Sequence, residues 1–149
     1  MITQDMRVQA MYNQGRAAAL ELQAKASGMT GTEIIAAEIN IPQFNPAHDY
    51  SGWPVGAPVA DEGQVWTLIQ PYNAAHYQGR PSTLRALWGL AHTTDPAQAR
   101  PWVDPYGTSG MYMEGECYRA EDGTVYRCKA GNTVYDAAAL PSAWEVATV

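Results

Sequence analysis

Nine tyrosines and five tryptophans stand against a single phenylalanine, and these amphipathic rings are the ones that can lie at a surface while a polar tip stays wet. Rings held flat and exposed stack on the apolar C–H face of a pyranose while neighbouring polar groups take its hydroxyls. Trp102, Tyr106 and Tyr112 cluster around the flexible stretch Pro105-Tyr-Gly-Thr-Ser-Gly110, Tyr135 lies in a later long loop, and Tyr72 and Tyr77 share an earlier one. These six are the candidate ligand-binding residues. Trp88 and Trp144 each follow an apolar Leu-x-x, a setting expected of rings that cap a small core rather than meet a ligand.

Covalent and acid–base chemistry finds no comparable set, so no catalytic residue is assigned and the chain is read as a non-enzyme. There is no Gly-x-Ser-x-Gly elbow. Glu114, Glu116, Glu121 and Asp122 do not suffice for glycoside hydrolysis, which needs two carboxylates facing across a cleft. Very small β units leave scant room for one, and a turn accounts for Glu121-Asp122. Cys117 and Cys128 form no Cys-x-x-Cys pair and have no histidine close by in sequence, so neither a metal nor any other cofactor is expected.

The elements that position the rings are written twice. One copy runs Trp53-Pro-Val-Gly56, Val59, the turn Asp61-Glu-Gly63, the strand Val65-Trp-Thr-Leu-Ile69 and Leu84-Arg-Ala-Leu-Trp88. The other runs Tyr112-Met-Glu-Gly115, Cys117, the turn Glu121-Asp-Gly123, the strand Val125-Tyr-Arg-Cys128 and Leu140-Pro-Ser-Ala-Trp144. A shared order, shared turn chemistry and a shared closing Leu-x-x-x-Trp mark an internal repeat. Asp-Gly is the strongest two-residue hairpin signal. With Asp122-Gly123 as the turn, Arg119 falls opposite Tyr126 and Cys117 opposite Cys128. That cysteine pair would be a hydrogen-bonded one, too wide for an easy cross-strand bond, and packed thiols are favoured over a disulfide.

An aromatic-x-x-Gly, a hairpin turning at an acidic residue plus Gly, a Val-aromatic strand and a terminal Trp resemble carbohydrate-binding module family 5/12, the chitin-binding type-3 domain of bacterial chitinases. The second copy, from about Arg100 to Val146, resembles it more, since the first carries an enlarged loop between Gln70 and Arg80. A helical segment ahead of such modules is similar to tail-region proteins of phages and prophages. The resemblance implies a glycan ligand, a bacterial surface polysaccharide or a chitooligosaccharide, and a virion setting alongside other tail proteins. Where family members often carry an aromatic after the second strand, this chain has Ala130-Gly131 and Gln70-Pro71. That departure points away from crystalline chitin and towards a soluble or cell-envelope glycan. A purely structural virion or assembly adaptor is the alternative.

Ahead of the repeat, residues from about Thr3 to Ala26 are rich in Ala, Leu, Gln, Glu, Arg and Met without a proline, which predicts one helix. Val8, Tyr12, Gly15, Ala19, Leu22 and Ala26 recur at alternating spacings of four and three, the seam of either an amphipathic helix on its own domain or a homo-oligomer. Thr30-Gly-Thr-Glu33 has the form of a capping box. The expected fold is therefore α+β: an N-terminal helical segment over 1–44 followed by two small antiparallel β modules, 45–92 and 93–149. The connection His92 to Pro101 is short and proline-rich, so the modules should pack together. A net charge of −6 argues against nucleic acid. No membrane span and no signal peptide are read, which suits a protein assembled into a virion in its host's cytoplasm.

Overall fold

The computed structural model describes residues 4–149, apart from the side chains at positions 4, 5, 7, 8 and 10–12. Helix α1 spans Gln4–Lys25 and passes through a short 3-10 turn, Ala26–Gly28, to helix α2, Gly31–Ala36. The expected capping box is formed: the Thr30 hydroxyl accepts the Glu33 N–H at 3.2 Å, and the Glu33 carboxylate accepts the Thr30 N–H at 3.0 Å. Two donors that α2 would leave orphaned are thereby satisfied. Of the predicted seam, Val8 and Tyr12 lie outside the described side chains. Gly15 is exposed, Ala19 is half-buried, and Leu22 and Ala26 are buried. Among the described residues of this seam, Leu22 and Ala26 pack on the protein's own sheet.

The fold is α+β, with a three-stranded and a four-stranded sheet following the helices. Strands β1 (Pro58–Asp61), β2 (Gln64–Leu68) and β3 (Trp88–Leu90) pair antiparallel in that order. One face of this sheet offers Ala60, Val65 and Ala91 to Leu22, Ala26, Ile34, Ile35 and Ile41 of the helical segment. The other face holds Val59, Trp66, Leu68 and Trp88 under Phe44, Tyr50, Tyr72 and Ala74. Both faces are covered, which is why the strands read as near-continuous apolar runs.

The second sheet runs β4 (Arg100–Pro101), β5 (Cys117–Arg119), β6 (Val125–Cys128) and β7 (Trp144–Val146). Its β5–β6–β7 part is antiparallel, while β4 lies parallel to β5, so the expected connector between modules supplies a short strand. The two copies close through the same hydrogen bonds. Gly56 and Gly115 sit at φ +92° and +90° and donate to Leu68 and Cys128 at 2.7 and 2.8 Å. Ile69 and Lys129 donate to Leu87 and Ala143, and Ala91 and Ala147 donate to Val65 and Val125. Trp88 and Trp144 stand opposite Leu68 and Cys128, and both are buried as expected.

The hairpins differ, and the second corrects the expected register. In the first, Glu62 and Gly63 both take positive φ, 53° and 73°, a two-residue turn of the type that strand twist favours. In the second, Gly123 alone is left-handed, at φ +88°. Gly123 donates to Ala120 at 2.9 Å and Ala120 to Thr124 at 2.8 Å, a three-residue loop ending in a glycine bulge. Asp122 keeps ordinary backbone geometry and uses its carboxylate to accept the Thr124 N–H at 2.9 Å. Cys117 consequently pairs with Arg127, Tyr118 with Tyr126 and Arg119 with Val125. A one-residue slip exchanges faces. Cys117 joins Ala99, Val125 and Ala147 on one side, and Cys128 joins Tyr112, Tyr118 and Trp144 on the other. Both cysteines are free and buried.

The modules dock on each other, as the short connection predicts. Gln64 donates to the Pro101 carbonyl at 2.9 Å, Arg100 donates to the Gly63 carbonyl at 3.0 Å and pairs with Glu38, and Arg85 lies over the Trp66 ring while donating to the Asp104 carbonyl at 2.8 Å. Thr32 on α2 bonds both the backbone and the hydroxyl of Thr94. Helices and both sheets thus share one set of contacts.

Burial raises the phenol pKa values of Tyr50, Tyr72, Tyr112 and Tyr118 above the ordinary 10.0, since a buried phenolate loses its hydration. The folded chain holds these protons more tightly than the unfolded one. Their contribution to stability is complete below pH 10 and is lost as pH rises through the raised folded values. Chemical denaturation across pH 8 to 12 should show the unfolding free energy falling from about pH 10 upwards, with four phenols titrating late at 295 nm. Normal titration of all nine tyrosines in the folded protein would contradict this.

Candidate functional site

The corrected register creates a ring surface that the expected one would have divided between two faces. Tyr118 and Tyr126, directly opposite across β5 and β6, stack at 5.5 Å and 28°. The Tyr118 hydroxyl accepts the Ala137 N–H at 2.9 Å, which ties the 129–143 loop to the sheet. Trp144 stands perpendicular to Tyr118 at 4.8 Å, and its indole donates to the Tyr135 carbonyl at 2.9 Å. Trp102, just after β4, lies flat on Tyr112 at 4.8 Å and 12° and is pinned by its indole N–H to Asp104 at 2.7 Å. Tyr112 in turn stacks on His92 at 3.7 Å, and His92 is held by Glu116 at 3.2 Å. The outer indole is therefore braced from behind by two more rings.

An open groove of about 980 Å3 runs across this surface, at the upper end of the range of small-ligand sites. Trp102, Tyr118, Tyr126 and Trp144 line it. Tyr118 and Trp144 are buried, whereas Trp102 and Tyr126 are half-buried and keep ring surface available. Glu121, Asp122 and Asp136 also border it, whereas Arg119 and Glu145, opposite Val125 and Arg127 in the register, direct their side chains to the other face of the sheet. Hydrogen bonding from Thr124 holds the Asp122 carboxyl below its ordinary range, so it stays ionised near neutrality. Asp136 accepts the Ala139 N–H at 2.9 Å, which fixes its orientation. Flat apolar rings bordered by hydrogen-bond acceptors can take a ligand that has one apolar face and many hydroxyl or amine donors.

Of the six candidate residues, Trp102 lines the groove. Tyr112 is 2% exposed and sits behind Trp102 as its support, a correction to its expected place at the surface. Tyr135 is exposed and contributes its carbonyl to Trp144, but its ring is not among the groove-lining groups. Tyr106 is 62% exposed, in a loop closed by reciprocal backbone bonds with Ser109, and is likewise outside the lining. Tyr72 is 6% exposed and belongs to the first core, where its hydroxyl accepts the Trp88 indole N–H at 2.7 Å. Tyr77 is exposed but meets Tyr72 edge-on, at 83°, so these two do not form a flat platform.

The first module lacks an equivalent groove because its corresponding face is roofed. Val59 and Trp66, the counterparts of Tyr118 and Tyr126, lie beneath Phe44, Tyr50 and Tyr72. The enlarged loop is pinned over the hairpin by a two-pronged Arg80–Asp61 pair at 2.9 and 3.1 Å. Tyr118, Tyr126 and Asp136 are the site residues that the sequence reading did not single out. A three-residue loop would have revealed the first two as a cross-strand aromatic pair.

Among the described residues, no group of three or more His, Cys, Asp or Glu side chains converges to hold a metal ion, and no helix is long and apolar enough to cross a membrane. No family model matches the chain, and no curated protein matches it.

Proposed function

We propose that this chain is a non-catalytic carbohydrate-binding protein, associated with a phage or prophage tail, that recognises a bacterial surface glycan through its second module. The carrying observation is the groove in which half-buried Trp102 and Tyr126 lie over buried Tyr118 and Trp144, with carboxylates at the rim. Rings held by stacking and by indole hydrogen bonds need little ordering on binding, which lowers its entropic cost. Ala137 and Ala138 of the 129–143 loop and Val146 of β7 line the same groove. One shallow site binds weakly, and self-association through α1 would multiply it by avidity.

A second reading, a structural adaptor, draws support from the helical segment. Ile39 is 93% exposed and Leu20 is also exposed, and apolar groups standing in water suit a protein contact. The two readings part on one experiment. Cell-envelope polysaccharides and chitooligosaccharides are titrated into the intact protein while tryptophan fluorescence is followed, with Tyr126→Ala as the groove variant. Binding that Tyr126→Ala weakens by at least about tenfold, with the melting temperature retained, supports the glycan reading. No response to any envelope preparation, alongside specific retention of a tail protein, would replace it with the adaptor.

A further inference from the structure

We infer that the groove reads the shape of a single glycan strand, holding neighbouring sugars on two rings set at an angle, and so favours linkages that curve a chain over those that keep it flat. The inference rests on the reading of this groove as a glycan site and adds the conformational class of its ligand. Of the four lining rings, only Trp102 and Tyr126 keep surface to offer, since Tyr118 and Trp144 are buried. Trp102 stands at 70° to Tyr118, whereas Tyr126 is turned from Tyr118 by only 28°. The planes of Trp102 and Tyr126 therefore differ by at least the 42° that separates those two angles. Tyr118 lies 5.0 Å from the Trp102 ring and 5.5 Å from the Tyr126 ring, which leaves both accessible rings within reach of neighbouring sugars on one strand.

Neither ring is free to turn into the plane of the other. Trp102 is held by its stack on Tyr112, at 12°, and by the indole hydrogen bond to Asp104 at 2.7 Å. Tyr126 packs on Tyr118, whose own hydroxyl is tied to the Ala137 N–H at 2.9 Å. A sugar stacks through its apolar C–H face, so the plane of each ring sets the tilt of the sugar upon it. A crystalline surface or a ribbon-like chain presents its sugar faces in parallel planes and can lie on Trp102 or on Tyr126, but not on both. A chain that changes direction between sugars meets both rings, and its second contact costs no further translational freedom. Shape selection is thus built into the angle between two fixed rings.

The probes are three glucose hexasaccharides that differ only in linkage: cellohexaose, a flat ribbon, and laminarihexaose and maltohexaose, whose chains curve. Calorimetry on the unaltered protein should show at least one curved chain binding about tenfold or more tightly than cellohexaose, and sedimented crystalline cellulose or chitin should leave the protein in solution. Trp102→Ala and Tyr126→Ala, each with its melting temperature retained, should bring the three chains to similar affinity, because one ring alone cannot sense a bend. If an envelope polysaccharide binds while the glucans do not, its own oligosaccharide fragments become the probe, and each ring variant should weaken them by at least about tenfold. Cellohexaose binding as tightly as both curved chains, retention on the crystalline solids, or envelope fragments that depend on only one of the two rings would overturn the inference and leave the glycan reading standing. If no oligosaccharide or envelope preparation binds, the glycan reading fails and the inference fails with it.

Discussion

Replacing Trp88 by alanine should cost about 3–5 kcal/mol of unfolding free energy, the range for truncating a large aromatic in a packed core. Trp88 is fully buried, and its ring meets Phe44, Tyr50 and Tyr72 edge-on at 5.3 to 6.1 Å. Its indole supplies the hydrogen bond to the Tyr72 hydroxyl, so the substitution also strands a buried polar group, a further cost. A chain of this length is worth roughly 7–20 kcal/mol in total, so a large share of the stability would go. Trp144→Ala removes an equivalent group from the second module: it meets Trp102, Tyr112 and Tyr118 and donates to the Tyr135 carbonyl. Urea denaturation monitored by circular dichroism reads both variants, and Trp88→Phe should recover part of the loss by refilling volume. An unchanged midpoint for either alanine variant would mean that the closing tryptophan does not hold its module together.

These tryptophans were legible in the sequence because their setting repeats, and so was the helical segment, whose composition and capping box are local signals. Register was not legible, because a dipeptide alone does not fix turn length. Asp122-Gly123 satisfies a two-residue turn only if Asp122 adopts positive φ. Its carboxylate instead bonds Thr124, and the larger loop places Tyr118, Tyr126, Cys128 and Trp144 on one face. The two-residue alternative would have put Arg119 beside Tyr126 and sent Tyr118 to the opposite side. Packing of four apolar groups decides between the turns, and packing is a long-range quantity. Site residues were only partly legible for the same reason. Tyr72 and Tyr112 have the composition of surface rings, but their burial depends on Phe44, Tyr50 and Trp102 arriving from distant segments.

Gly31→Ala should detach the helical segment from the first sheet, and a graded glycine series can show that contact, not backbone freedom, is the cause. A Cβ at Gly31 would lie 2.2 Å from the His92 carbonyl oxygen, with backbone on both sides of the overlap. Neither α2 nor the end of β3 can yield cheaply, so the cost is that of overpacking, about 1–3 kcal/mol or somewhat more. Gly56 combines two penalties: φ is +92°, and a Cβ would come within 2.8 Å of the Ser27 Cα in the turn after α1. Its counterpart Gly115, at φ +90°, would meet only Thr94 Cγ2 at 3.7 Å and isolates the backbone term, about 1–2 kcal/mol. Gly15 lies inside α1 with nothing within 4 Å, so Gly15→Ala should be neutral or stabilising by up to about 1 kcal/mol. The expected order of loss has Gly56→Ala above Gly115→Ala, and Gly31→Ala far from Gly15→Ala. Hydrogen exchange should show faster exchange in α2 and β3 for Gly31→Ala, with β5 and β6 protected. Equal stability of the Gly31 and Gly15 variants would mean that the helices do not rest on the sheet at this point, and the helical segment would then have to find its partner in another chain.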